Sequence, residues 1–485
     1  MKSNMQKLSW WYNFLLLFIT ALSSCTLPKN LQVKNELTPP AAYPFMDSTV
    51  QQDIPLPNWR EFFKDPYLVA LIDSAIKNNQ DLKIANQRLE QARAEVQYHY
   101  RNFYPSVQAN ASFGVTKYGD YTVDGVGNFD SNLSSNISPE QRIPNPVPDY
   151  FLGLQTSWET GFAGKLRSRR KAASARLLAS SYYRDLVQTQ LVAGVARLYY
   201  ELLAIDNELK IIRQNIDIQE RAMEIVDIQK QSGQINELAV KQFKVQLLQT
   251  QALEAERKQH LVFVVNTLNT LIGKFPKIIT RADTLVNTAQ LAQLKTGFPI
   301  YLLENRPDLK EAMAQLQANE ADLRAARAAF LPALNFSGFT ALNGFNASYF
   351  FNPASLAYVG LASLSLPVFN RNQVNYQYRL QAAEKNVALY NYQKILLQSV
   401  AEVSSLYNTL LAYQRISELK LAEVTELKAA LSIGNDLFLT GFANYLEVLM
   451  IRRNVLDAEL QYTNAQKQFF HAYIDLYKAM GGGWR

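Results

Sequence analysis

Ser106-Val107-Gln108-Ala109-Asn110-Ala111-Ser112-Phe113-Gly114-Val115-Thr116 alternates apolar and polar side chains along its length. Val107, Ala109, Ala111, Phe113 and Val115 fall on one side; Ser106, Gln108, Asn110, Ser112 and Thr116 fall on the other. Successive side chains of a strand point to opposite faces, so the spacing predicts a strand with one apolar face, about as long as one that crosses a bilayer. A second strand has Tyr150, Leu152, Leu154 and Trp158 against Asp149, Gln155, Ser157 and Glu159, with Phe151 on the polar side. In a third, Leu334, Phe336 and Leu342 oppose Asn335, Ser337 and Asn343. A fourth runs from about Tyr358 to Leu366; its faces stay unassigned, because Leu361 and Leu364 fall on opposite sides. Polar, Gly- and Asn-rich loops, about 118–148 and 344–356, join each pair. Two soluble hairpins on a helical domain would fit this pattern too. In lipid an open sheet edge is forbidden and two hairpins cannot close a barrel, so the membrane reading demands several copies of the chain.

Outward from the strands the chain repeats itself. Asp81-Leu82-Lys83 through Phe103-Tyr104-Pro105 recurs as Asp308-Leu309-Lys310 through Phe330-Leu331-Pro332, at an offset of 227. Val192-Ala193-Gly194-Val195 recurs as Val400-Ala401-Glu402-Val403 at an offset of 208, which Gly233/Gly441 and Gly273/Gly481 keep. Constant offsets broken once indicate a duplicated unit with a shorter insertion in the second copy. Proline is absent from Asp149 to Phe275 and from Val368 onward. Within these stretches, residues 165–229 and 370–437 carry apolar positions at three and four spacing, and the first, as a helix, spans roughly 98 Å. Each is followed by Gly233 or Gly441 and a second helix, about 236–272 and 444–480, which reads as an antiparallel coiled-coil hairpin.

Composition leaves little room for chemistry. The 485 residues are 48% hydrophobic, which excludes wholesale disorder. His99, His260 and His471 lie far apart and Cys25 is the only cysteine, so no zinc cluster or disulfide framework is available, and neither metal nor cofactor is expected. The net charge of +7 becomes +5 without Lys2 and Lys7. Basic and acidic residues interleave along helical faces, so nucleic-acid binding is not expected.

Lys2 and Lys7 precede an apolar run from Trp10 to Ala21 that ends in Leu22-Ser23-Ser24-Cys25. The run is too short to span a membrane and reads as a secretory signal ending in a lipobox, whose cysteine is diacylglycerated and becomes the new N-terminus. An ordinary signal with a stray cysteine is the other reading; the sole cysteine falling where acylation needs it favours the lipobox. Thr26, where an aspartate would point to the inner membrane, favours the outer membrane. From Thr26 to about Pro57 the chain reads as an extended tether.

Trp59-Arg60-Glu61-Phe62-Phe63, Asp65-Pro66, Leu68, Leu71-Ile72, Asn79 and Asp81-Leu82 resemble the opening of outer membrane efflux proteins, the TolC-like outer membrane factors. Gly297-Phe298-Pro299 with Leu302-Leu303-Glu304-Asn305-Arg306-Pro307-Asp308-Leu309 is similar to the signature before that family's second repeat, with Asn305 where arginine is frequent, a surface-type change. Thr440-Gly441-Phe442-Ala443-Asn444-Tyr445-Leu446-Glu447 resembles its helix-turn motif. The resemblance covers nearly everything from Pro57 to Gly481. With the lipobox it points to the lipoprotein branch that serves resistance-nodulation-division pumps.

The resemblance implies an α+β membrane protein: a homotrimer whose three sets of four strands close one 12-stranded transmembrane β-barrel, continued by a long periplasmic α-helical barrel. The expected organisation is a signal peptide 1–24, a lipid-anchored tether 25–57, a first repeat 58–275, a connector 276–306 and a second repeat 307–485. The function implied is a passive exit duct for small molecules such as drugs or metal ions, docked by a periplasmic adaptor to an inner-membrane transporter; the alternative is the outer component of type I protein secretion. Ser232, Gly233, Gln234, Thr440, Gly441 and Phe442 are expected at the adaptor-docking tips. Asn435, Asp436, Leu437 and Phe438 form the candidate gate, Asn435 standing where the family often carries an acid. Ser, His and Asp show no catalytic context, so no enzyme is expected. A lipid-anchored coiled-coil tether would need the helices but has no use for four amphipathic strands.

Overall fold

The computed structural model describes residues 37–43, 45–46, 56–233, 235–283, 299–367 and 372–484. Cys25, Gln234 and much of the expected tether and connector lie outside them. The described elements are α1 (Trp59–Phe62), α2 (Pro66–Asn78), α3 (Gln80–Arg101), β1 (Ser106–Thr116), α4 (Val123–Leu133), β2 (Val147–Glu159), α5 (Lys165–Gln231), α6 (Glu237–Ile272), α7 (Leu302–Asn305), α8 (Pro307–Ala328), β3 (Ala333–Gly344), β4 (Leu356–Ser365), α9 (Asn372–Leu439) and α10 (Tyr445–Ala479). The four strands and four long helices start and stop within two residues of the ranges their periodicity predicts. Without proline to remove a donor, α5 runs for 67 residues and α9 for 68, each about 100 Å long.

One compact unit holds residues Gln91–Leu177 and Gln315–Leu389; the other holds residues within 35–90, 178–314 and 390–485. Each unit therefore draws on both sequence repeats. In the first unit the strands form a single antiparallel meander in the order β1-β2-β3-β4, and β2 pairs with β3 across the two repeats. Between β1 and β2 lie 30 residues, against 11 between β3 and β4. That difference of 19 equals the change in sequence offset from 227 to 208, so the whole length difference between the copies sits in these loops.

The longer loop corrects one expectation. Residues 118–148 read as irregular, yet α4 lies within them, with Thr122 Oγ1 accepting from Gly125 N at its N-cap. Gly125 and Gly127 lower helix propensity and hide Val123, Val126, Phe129 and Leu133, whose spacing is helical.

In the second unit the core forms where α1 and α2 lie against α5, α6 and α10. Trp59, Leu68 and Ile72 pack with Tyr199, Leu202, Leu203, Leu268 and Phe470, while Phe62 stacks on Tyr477 at 3.9 Å. The efflux-like opening motif is thus mostly core. Both repeats make the same two backbone contacts. Asn79 Nδ2 donates to Leu271 O and Arg306 Nη1 to Ala479 O, both at 2.8 Å. A Cβ on Gly273 would fall 2.5 Å from Asn78 O, and one on Gly481 2.6 Å from Asn305 O. Asn305 is consequently no surface position: it is half-buried, and its carbonyl also accepts from Trp484 Nε1 at 3.1 Å.

Candidate functional site: sheet faces, hairpin tips and gate segment

Register fixes the two faces of the sheet. Val107, Ala109, Ala111 and Phe113 stand opposite Thr156, Leu154, Leu152 and Tyr150; Leu152 meets Leu342, Trp158 meets Phe336, and Phe336 meets Ala362. Leu364 and Tyr358 join this apolar face through Leu334 and Thr340, whereas Leu361 and Val359 pair with Ser337 and Phe339 on the other. The fourth strand's faces are therefore assigned. Aromatic pairs bound the apolar face at both ends: Phe113 and Tyr150 with centroids 5.0 Å apart on the loop side, Trp158 and Phe336 at 5.7 Å on the helix side. Trp158 Nε1 donates to Phe103 O at 3.0 Å. Eight residues separate Tyr150 from Trp158, about 26 Å of strand, close to the apolar band of a membrane barrel. Among the described residues no helix is long and apolar enough to cross a membrane.

The second face is chiefly amide and hydroxyl. Asn110 Nδ2 donates to Gln155 Oε1 at 2.7 Å and Ser106 Oγ to Ser157 O at 2.9 Å. Gln108, Gln155, Ser157, Ser337, Phe339, Val359 and Leu361 line a shallow hollow on this face. Strands β1 and β4 are the sheet's edges, so each has one side without a partner strand among the described residues.

The hairpin turns are built alike. Gly233 and Gly441 have φ of 73° and 80°, and nothing lies within 4 Å of a Cβ added to either, so these positions demand the left-handed backbone and not a small volume. Gly441 N donates to Phe438 O and Phe442 N to Leu437 O, satisfying the last carbonyls of α9. Asn236 and Asn444 then cap the returning helices. Ser232, Thr440 and Phe442 are all exposed. At the first turn Lys230 pairs with Glu237, and with Lys241 it holds that carboxyl below its usual range.

In the gate segment, Asn435 is half-buried and accepts from Arg452 Nη2 of α10 at 3.2 Å. Arg452 Nε finds no acceptor among the described residues, and burial pulls the guanidinium's pKa below its usual value. Asp436 is exposed, Leu437 and Ile433 are exposed apolar side chains, and Phe438 is half-buried. At the repeat offset Asn435 corresponds to Asp227, an amide in the second hairpin where the first has an acid. Among the described residues no three His, Cys, Asp or Glu side chains gather as a metal site would require.

An antiparallel four-stranded meander with one apolar face, in a chain whose longest helices run to 67 and 68 residues, matches the elements of an outer membrane channel fold. The chain belongs to the outer membrane efflux protein family, whose model matches residues 71–274 and 300–482. It is 28% identical over 432 residues to the solvent efflux pump outer membrane protein SrpC of Pseudomonas putida, covering 88% of each chain. It is 27% identical over 451 residues to the probable outer membrane lipoprotein SilC of Salmonella typhimurium, covering 93% of this chain and 91% of that one. Among solved structures, the Campylobacter jejuni CmeC outer membrane channel superposes with a TM-score of 0.82 at 22% identity, covering 95% of both chains.

Proposed function

We propose that this protein is the outer membrane exit duct of a tripartite efflux system. Three copies close one 12-stranded barrel, and their helices continue it as a hollow periplasmic cylinder. The observation that carries this reading is the sheet: an uncharged apolar face with aromatic ends and two edges, β1 and β4, without a partner strand among the described residues. In lipid, unpaired backbone N–H and C=O groups cost several kcal/mol each, about, so the edges must meet those of other copies. In this meander β1 and β4 run in opposite directions, so β4 of one copy and β1 of the next pair antiparallel.

Ile218 and Ile225 on α5 and Leu238 and Val245 on α6, each pair seven residues apart, are exposed in the single chain and fit helix packing between copies. Membership of the efflux family and relatives named for solvent efflux and as a lipoprotein support small-molecule export over type I protein secretion. An adaptor docks at the hairpin turns and an inner-membrane transporter supplies the energy; the duct performs no chemistry of its own. Cys25 carries the lipid anchor. The organisation proposed is a signal peptide 1–24, a tether 25–57, repeats 58–275 and 307–485, and a connector 276–306.

Purified protein run unheated in detergent should migrate as a trimer that heating dissociates, and a deletion strain should lose resistance to pump substrates. A heat-insensitive monomer that resides in no membrane fraction refutes the duct.

A further inference from the structure

Phe151 and Phe339 lie on the amide-lined face of the sheet, which would be the polar one throughout if the alternation of β1 continued. Their rings meet edge to face at 5.6 Å. Between their positions the register places Gly153 opposite Ala341. A Cβ on Gly153 would fall 2.2 Å from that of Ala341, and Ala341 is only 3% exposed on an otherwise open sheet. The two rings thus close over the smallest cross-strand pair on this face. Beside Phe339 the apolar surface continues into Val359 and Leu361, which remain 49% and 58% exposed. This apolar strip shares the hollow with Gln108, Gln155, Ser157 and Ser337.

Charge is confined to the ends of this face. Asp149, beside the loops, accepts from Asn343 Nδ2 at 2.8 Å, and Glu159, beside the helices, is bound to Lys165 at 3.0 Å. Every other strand residue on this face is uncharged. A metal ion gives up its water only to carboxylates or a convergent set of oxygens, and the middle of this face offers neither. An apolar body sheds water by contact with Phe339, Val359 and Leu361, while a hydroxyl or amide on the same molecule finds partners in Gln108, Gln155 and Ser337.

We propose that this strip is a transit subsite for uncharged amphiphilic organic solutes, those with an aromatic or alicyclic body and neutral polar groups. The proposal rests on the duct reading, which turns this face inward, and it narrows the cargo from drugs or metal ions to neutral organics. Contact on one side only keeps residence short, as passage requires.

The experiment uses the full-length lipidated protein in nanodiscs with phenyl β-glucoside as probe, read by saturation-transfer difference NMR. The subsite lies between the strands, so the probe reaches it from the loop side whether or not the helical end is closed. Transfer is expected to be strongest at the phenyl protons, with none to free glucose supplied as a separate control and no competition by zinc ions. Leu361→Ser and Phe339→Ser should each cut the transfer about threefold or more, while the outward-facing Leu154→Ser leaves it unchanged. Leu361 lies on the edge strand β4, but pairing between copies there runs through the backbone, so its variant should keep the heat-dissociable trimer, which serves as the fold check. Equal transfer to free glucose, unaltered transfer in Leu361→Ser trimers, or displacement by zinc overturns the subsite alone. Failure of the wild-type protein to form trimers overturns the duct with it.

Discussion

Arg452 donates from Nη2 to Asn435 Oδ1 at 3.2 Å, tying α9 to α10 just above the second turn. The guanidinium is half-buried, and its Nε has no acceptor among the described residues. Removing the amide leaves a buried charge without its neighbour, a loss of about 1–3 kcal/mol. If the segment gates the duct, Asn435→Ala and Arg452→Ala should each raise single-channel conductance in planar bilayers. The double variant should add little, since both break one contact. Asp436→Ala, at an exposed carboxylate, should instead shift cation selectivity. No change in any of the three variants places the constriction elsewhere, at Leu437 and Phe438 as an apolar seal.

Acylation predicts a thioether-linked diacylglycerol on Cys25, visible by mass spectrometry of the mature protein. Cys25→Ser should accumulate as an unprocessed or mislocalised precursor. Because the strands also hold the protein in the membrane, efflux should weaken without vanishing. An unmodified mature cysteine would count against the anchor.

Crosslinkers at Gln234 and Phe442 should capture the adaptor, whereas crosslinkers at the strand loops should not. Gly441→Ala places a Cβ at φ 80°, costing about 1–2 kcal/mol at the turn, and should reduce adaptor capture while trimers persist. Capture only from loop positions would overturn docking at the turns.

His471 of α10 is buried, donates from Nε2 to the Arg197 carbonyl at 3.3 Å, and has its pKa lowered to about 4, first by burial and then by the Arg197 charge. The unfolded chain takes up a proton near pH 6.5 while the folded chain stays neutral until about pH 4. Stability therefore falls as pH drops from 6.5 to 4, by on the order of 3 kcal/mol at most. Thermal dissociation of the trimer should show that slope, and His471→Gln should flatten it. An equal slope in the variant assigns the pH dependence to other groups.

The parts legible in the sequence are those whose cause is local. Alternation marks β1, and freedom from proline with three-and-four spacing marks α5 and α9, because strand and helix periods are properties of consecutive residues. The fourth strand resisted for a physical reason: Leu361 and Leu364 are both apolar and face opposite ways, one beside Phe339, the other beside Leu334. Only pairing with β3 separates them. Helix α4 escaped notice behind its two glycines. The Asn435–Arg452 contact spans a turn, and Arg306 reaches Glu402 across 96 residues, at 2.7 Å, so neither pairing leaves a mark in local spacing.

The bare edges of β1 and β4 also have a genetic consequence. In the proposed ring of three copies closed edge to edge, each copy completes its neighbour, and one chain with a proline in β1 opens the seam for all three. Such an allele should be dominant: with random mixing at equal expression, roughly one ring in eight would contain only intact chains. A second, healthy gene copy would then protect the cell poorly, and the severity of an edge mutation would follow the ratio of the two alleles' expression.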